Sequence, residues 1–278
     1  MSSLRALDHI VVAVPALDAV AAVYEDLGFS LTPRARHPDN MGTSNRLVQF
    51  AARNFIELLE VDRPLGLDEH ALAVSPPRYS FGAQNRDFLR RRHGLSLLVL
   101  ASDDARADLA DWQAKGLRTY APFDFERRAR LPDGQEVTVA FTLGFVTDPT
   151  IPALGFFVCQ NRFPQYFWKP AFQSHANGAS GIVALYLAAA EPLRHAGFLT
   201  ALTGGEARAI DGGIAIALAG GCELQVLTPE AVAAIGGSVP DLSDGPLFAG
   251  IAVAATKSPA TLTAATQAGG LFIEWRAA

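Results

Sequence analysis

The sequence predicts an α+β fold assembled from a repeated strand–helix–three-strand (βαβββ) unit, and three observations carry that prediction. The first is a change of period near the N-terminus. Residues 7–14 form a short apolar run rich in Val and Ile, and beyond it Val20, Val23, Tyr24 and Leu27 fall at helical spacing before Gly28. The second is that this order recurs along the chain. The third is the spacing of the glycines that end the helices: Gly28 to Gly116 and Gly116 to Gly204 are each 88 residues, and Gly204 to Gly269 is 65.

The opening strand, closed by Pro15, places Ile10, Val12 and Val14 on one face and His9, Val11 and Ala13 on the other. One imidazole therefore stands in an otherwise apolar strand. After the helix, residues 29–33 lead into the polar loop 34–44, and strands are expected over 45–50 and 55–61. The segment 62–94 holds Pro64, Pro76, Pro77 and a basic run at 90–93, and reads as loop or irregular cover. In the second unit a strand over 95–100 precedes a helix capped by Asp103-Asp104, with Ala105, Leu109 and Trp112 on one face. Three strands follow over 119–128, 136–146 and 154–160, with Asp133-Gly134 as a hairpin turn. The third unit has a strand over 182–189, Pro192 as a first helical residue, and strands over 207–210, 214–218 and 222–227. The fourth has a strand over 247–256, a helix start at Ser258-Pro259 and one further strand over 271–275, so it is shortened.

A chain of 278 residues that is 50% hydrophobic and 18% charged is globular, with room for one large or two ordinary domains. Its net charge of −5, without a basic stripe, argues against nucleic acid. No apolar run approaches the roughly 20 residues of a membrane span, and nothing at the N-terminus resembles a secretory signal. Cys159 and Cys222 stand far apart without a CxxC pattern, which suits a reducing compartment, so a cytoplasmic protein is expected. GxGxxG, GKS/GKT, GxSxG and HExxH are all absent, which closes the motif-based routes to nucleotide, hydrolase and zinc-protease function.

The run Leu7-Asp8-His9-Ile10-Val11-Val12-Ala13-Val14, the helix end Tyr24-Glu25-Asp26-Leu27-Gly28-Phe29, and Phe55-Ile56-Glu57-Leu58-Leu59 resemble the vicinal oxygen chelate superfamily. More narrowly they resemble its glyoxalase-like domain proteins, the glyoxalase/bleomycin resistance/dioxygenase fold. The resemblance is closest in the first unit and faintest in the fourth. It implies βαβββ modules paired into cleft-forming curved mixed sheets, with the second pair incomplete. Residues 1–160 would form the pair that carries the cleft, 161–180 an aromatic-rich linker, and 181–278 a second, degenerate pair.

In metal-using members of that superfamily, ligands come from the first and last strands of each paired module. His9 and Glu57 match those positions in the first module, and an imidazole with a carboxylate suits a divalent Mn, Fe, Ni or Zn ion. The second module departs from the pattern, because its positions fall near Ser96 and Val158, and Gln160 would need a shifted register. Two readings stay open: a metal site short of ligands, or a metal-free polar pocket in which His9 hydrogen-bonds to Glu57. Glu223 and Glu274 hold the corresponding last-strand places of the later units without a histidine, as remnants or edge carboxylates.

His37, Asn45 and Arg46, on the loop and the strand after it, are the expected substrate-binding residues. Asn45 would bond a carbonyl and Arg46 would fork onto a carboxylate or phosphate, against the alternative of a solvated turn with a structural arginine. In the linker, Phe163, Tyr166, Phe167, Trp168 and Phe172 would pack between halves and roof the cleft, with His175 a minor ligand candidate. His70 and His195 read as surface residues. The implied function is a metal-dependent lyase or isomerase acting on a small oxygen-rich substrate through an enediolate-type intermediate, with Glu57 as the catalytic proton shuttle. The alternative is a metal-free small-molecule binding or sequestration protein of the same fold. An extradiol-type dioxygenase is less favoured, since Ser96 stands where a second histidine would be. The expected partner is a small-molecule ligand, a homodimer being an open arrangement.

Overall fold

Why one strand can carry a polar cluster on one face and a hydrophobic core on the other follows from the first module of the computed structural model, which describes residues 4–130, 134–258 and 261–278. Strand β1 (Leu7–Ala13) sends Ile10 and Val12 into a core shared with the helices, while Val11 enters a separate apolar cluster on the opposite face. Helix α1 (Leu17–Asp26) buries Leu17, Ala21 and Tyr24 against that core, a side chain the size of Leu17 contributing about 1.5–3 kcal/mol. Gly28, at φ +88°, ends it in the left-handed region that favours glycine. Strands β2 (Ala35–Arg36), β3 (Ser44–Gln49) and β4 (Phe55–Glu60) complete the module. β4 runs parallel to β1 and antiparallel to β3, which places Glu57 opposite both Val11 and Leu47. No strand is assigned at 29–33, where one was implied, and the two-residue β2 follows it; Thr32 still meets β3, its N–H donating to Leu47 O, its Oγ1 accepting from the Leu47 N–H and its O accepting from Arg46.

The segment expected to be irregular contains helix α2 (Phe81–Leu89), whose N-terminus is capped when Ser80 Oγ accepts from the Ala83 N–H at 3.0 Å. The second module follows: β5 (Gly94–Ala101), α3 (Ala105–Ala114) capped by the Asp104 carboxylate, β6 (Arg118–Thr119), β7 (Phe123–Arg130), β8 (Glu136–Thr147) and β9 (Gly155–Asn161). β5 lies antiparallel to β1 and parallel to β9, so the first strands of the two modules meet at the centre of one curved surface. The hairpin turn expected at Asp133-Gly134 lies partly outside the described residues.

A short helix α4 (Pro164–Phe167) precedes the second half: β10 (Ala179–Ala188), α5 (Ala196–Thr203), β11 (Ala207–Ile210), β12 (Gly213–Ala217) and β13 (Glu223–Leu227). Then come α6 (Pro229–Gly236), β14 (Leu247–Ala255), β15 (Leu262–Thr263) and β16 (Phe272–Ala277). Pro259 lies outside the described residues, and 261–270 form β15 and turns where a helix was expected. All the strands join one mixed, unclosed sheet, bridged between halves by the Phe248–Leu95 pair of β14 and β5 and by an isolated Ala6–Ala219 bridge. Side chains reinforce the junction. The Trp112 indole N–H donates to Leu202 O at 3.2 Å, and the Asn54 amide both donates to and accepts from the Ile182 backbone.

Helix α6, absent from the sequence expectation, decides what the second pair can do. It sets Val232 on the concave face, in a cluster with Tyr186, Leu227 and Phe272, so protein fills this part of the cleft. Gly250 lets the Phe272 ring approach, since a Cβ there would lie 2.5 Å from it. Of the two remnant glutamates, Glu274 accepts from the Tyr186 hydroxyl and Glu223 pairs with Arg208. Among the described residues no helix is long and apolar enough to cross a membrane.

Candidate functional site

The pleat of β1 and β4 turns His9, Phe55 and Glu57 toward the same concave surface. There, a cavity of about 680 Å³ opens among the first two modules and the linker. His9 and Glu57 are 5% and 4% exposed, so neither charge is easily hydrated. Their partners are therefore protein groups. His9 Nε2 stands 3.5 Å from Glu57 Oε2, while its Nδ1 is held at 2.5 Å by Asp8 Oδ1. Asn45, from the neighbouring β3, donates its amide to Glu57 Oε1 at 2.6 Å. His37 Nε2 lies 3.6 Å from the same oxygen. The loop that carries His37 is fixed from below: Thr43 Oγ1 meets His37 Nδ1 at 2.8 Å, and the Arg63 guanidinium donates to His37 O and Thr43 O.

Electrostatics sorts the pair into an acid and a base. Burial alone would lower the His9 pKa, but the hydrogen bonds and charges of Asp8 and Glu57 outweigh it and raise the group to about 9. Burial alone would raise the Glu57 carboxyl, but the His9 contact, the two imidazole charges and Asn45 hold it below the ordinary range. At neutral pH the floor thus holds an imidazolium beside a carboxylate. The walls are aromatic. Phe55 stacks on His9 with ring centroids 4.3 Å apart, and Phe157 meets the imidazole edge-on at 5.7 Å. Phe125 of β7 stacks on Phe141 of β8, and Phe167 and Trp168 close the side nearest the linker. Burial pushes the Cys159 thiol up, so that cavity-lining sulfur stays protonated and unreactive.

Of the expected binding residues, the structure brings His37 and Asn45 into this cavity and leaves Arg46 outside it. Arg46 alternates to the other face of β3, where its guanidinium donates to Thr32 O at 3.0 Å and pairs with Glu25 at 2.6 Å. It cannot fork onto a ligand in the cleft. His175 is structural: its Nδ1 accepts from the Ser30 N–H, its Nε2 donates to Gln49 O, and Phe29 and Phe50 pack against its ring. His195 is 3% exposed and bonds Thr150, and His70 accepts from the Ser80 N–H, so neither is the free surface residue expected. Asp8 is the site residue that sequence reasoning passed over. Its signal was available, as an acid directly before the one imidazole of an apolar strand.

At the second module, among the described residues, the side chains that would complete a divalent metal site are missing. Ser96 is the extra residue of a bulge, since Val11 pairs with Leu97 and Val12 with Leu95, and its hydroxyl donates to Asn85 and Val11 O. The positions that face the cavity side are one residue away, at Leu97 and Phe157, while Val158 points into the helix-side core. Gln160 caps α3, bonding Ala105 N–H and Asp103 O. Both cavity-side positions are hydrocarbon, and His9 and His37 approach different oxygens of Glu57. Among the described residues no group of three or more His, Cys, Asp or Glu side chains is disposed to hold a metal ion. The residues do not fit one.

Comparison with known proteins gives a coherent picture. A family model described as a glyoxalase-like domain matches residues 7–203. A hypothetical protein from Staphylococcus aureus superposes with a TM-score of 0.74 at 13% identity, covering 99% of this chain and 100% of that one. A triple mutant of 4-hydroxymandelate synthase from Streptomyces coelicolor gives 0.54 at 12% identity, over 90% of this chain and 71% of that one. Methylmalonyl-CoA epimerase from Mycobacterium tuberculosis covers 57% of this chain and 90% of its own, at 22% identity and a TM-score of 0.38. The first two similarities speak to the fold alone. No curated protein matches the chain.

Proposed function

The chain belongs to the glyoxalase-like domain family of the vicinal oxygen chelate superfamily, and from that premise we propose that it is a proton-transfer enzyme, a lyase or isomerase acting on a small carbonyl compound without a resident metal. The observation that supports this reading is the opposed pair at the cavity floor. His9 is raised to about 9 and Glu57 is lowered, so each stands at neutral pH in the protonation state its role requires. Groups whose pKa values are pushed apart in one cleft are the usual acid and base of such a reaction.

In this reading Glu57 accepts a proton from the carbon next to the substrate carbonyl, and the C–H electron pair moves into the C–C bond as the carbonyl oxygen gains negative charge. The His9 Nε2–H, only loosely engaged at 3.5 Å by Glu57, donates to that oxygen. Asp8 fixes the ring and keeps it charged, and Asn45 and His37 orient the carboxylate. Return of the proton to the opposite face of the same carbon gives the epimer; in an α-hydroxy carbonyl compound, return to the former carbonyl carbon, as the adjacent hydroxyl gives up its proton and becomes the new carbonyl, gives the shifted isomer. No step is routed through a metal, because Leu97 and Phe157 stand where the second module would supply ligands.

The test is proton NMR in D₂O with protein dialysed against chelator, scoring loss of the α-C–H signal over a panel of small aldehydes and ketones. Wild type should accelerate exchange for some members, and Glu57→Gln should lower that rate by a factor on the order of 10² or more. Exchange that vanishes on chelation and returns with added metal would overturn the metal-free mechanism. One observation favours the second reading, sequestration: Glu57 already has a neighbour on each oxygen. Saturable binding with no exchange of any panel member would establish it.

A further inference from the structure

We infer that the ligand of this cavity is an uncharged carbonyl compound with a flat aromatic body, and that polyanionic substrates such as acyl-CoA thioesters and sugar phosphates are excluded. The inference deepens the proposed function and rests on its assignment of the cavity as the substrate site. Two independent features carry it.

The first is where polarity lies. His9, His37, Asn45 and Glu57 converge at one end, whereas the walls beyond them are built from rings. Phe55 is 5.2 Å from Phe167 and 5.9 Å from Trp168, Phe141 is 6.0 Å from Phe167, and Phe81 is 6.1 Å from Phe157. A ligand that fills this space has one polar end and a body that gains most by offset or edge-on contact with aromatic faces. At about 680 Å³ the cavity lies in the ordinary range for small-molecule sites.

The second is charge. The floor sets two carboxylates, Asp8 and Glu57, against the imidazoles of His9 and His37, so it offers an anion no excess of positive charge. An anionic head group would be buried beside two carboxylates, at a cost of tenfold in affinity for each ~1.4 kcal/mol of repulsion. The rim adds Asp103, Asp104 and Asp108. Two arginines line the cavity among the described residues, one ion-paired and one stacked on a ring. Arg5 is held by Asp108 and Asp111, and Arg53 is stacked over the Trp168 ring at 5.4 Å. Among the described residues that line the cavity, no cluster of cations stands ready for the several negative charges of a nucleotide-bearing thioester.

Three probes that share a phenyl group separate these features: 1-phenylpropan-2-one, phenylacetate and benzoyl-CoA. A fourth, 1-cyclohexylpropan-2-one, keeps the head and volume and removes the flat ring. Trp168 in the wall supplies a fluorescence readout on the full chain. The aromatic ketone should bind saturably, at least about tenfold tighter than phenylacetate and several-fold tighter than its cyclohexyl analogue, with no saturable binding of benzoyl-CoA. Phe125→Ala, at a half-buried wall position, should weaken the ketone and leave the melting temperature close to wild type. Equal or tighter binding of phenylacetate or benzoyl-CoA, equal binding of the cyclohexyl analogue, or no ketone binding would overturn the inference. Recording α-proton exchange on the same samples keeps the two readings apart: a ketone that binds without exchange supports the ligand class and removes the enzyme.

Discussion

Replacing Asp8 by Asn keeps an oxygen acceptor beside His9 Nδ1 and removes the charge, so it isolates what the carboxylate contributes. The raise of His9 from its ordinary 6.5 to about 9 corresponds, at ~1.4 kcal/mol per tenfold, to about 3 kcal/mol of folding stability. Because the folded value is the higher one, this stability is fully present below pH 6.5 and is lost as pH rises through about 9. Asp8 is the largest of the contacts that raise the group, and Glu57 remains in the variant, so Asp8→Asn should cost about 1–2 kcal/mol at pH 6 and close to nothing above pH 10. Urea denaturation of both proteins at pH 6, 8 and 10 measures it, the difference between curves cancelling every group that titrates alike in the two. A difference that stays constant across that range would refute the reasoning, since it would mean that the Asp8 charge does not act through the proton on His9.

Three further outcomes follow from residues around the cavity. Arg46→Lys should leave ligand affinity unchanged, because the guanidinium faces Glu25 and Thr32 on the far side of β3, and should cost at most about 1 kcal/mol of stability in urea. Gly155→Ala would drive a Cβ to 2.3 Å from Leu97 Cδ2, and thermal unfolding should register a loss of about 1–3 kcal/mol. His175→Ala strips partners from Ser30 N–H and Gln49 O, so stability should fall by about 1–3 kcal/mol while ligand titration stays within error of wild type.

Local signals carried far in this chain. Gly28, Gly116 and Gly204 all adopt positive φ, so their even spacing in the sequence marks real helix ends and reveals the repeat. Strand parity was enough to set His9 beside Glu57, because the β1–β4 register between them is regular. On the first strand of the second module the same counting failed because the bulge at Ser96 inserts a residue, and a shift of one exchanges the faces of a strand; on β9 it missed the cavity-side Phe157 by one residue. Arg46 was misplaced by a different route, its recognition chemistry having been weighed without the alternation that puts its neighbour Asn45 in the cavity. Helices α2 and α6 are short; the proline-bearing segment that holds α2 reads as a loop, and between the strands ending at 227 and beginning at 247 the sequence reading assigns no element where α6 forms. The burial of His175 depends on Ser30 and Gln49, more than a hundred residues away, which no local pattern can report.

The charge state of His9 in the metal-free protein is the most direct test of the account. With ¹⁵N-labelled histidine and chelator-treated protein, the account predicts that both ring nitrogens of His9 carry protons at pH 7, and that the signal titrates near pH 9. In Glu57→Gln the midpoint should move down, since that carboxylate is one of the two that raise it. A neutral ring at pH 7, or an Nε2 shift that changes on adding Zn²⁺ or Mn²⁺ at stoichiometric concentration, would contradict it and return the site to metal chemistry.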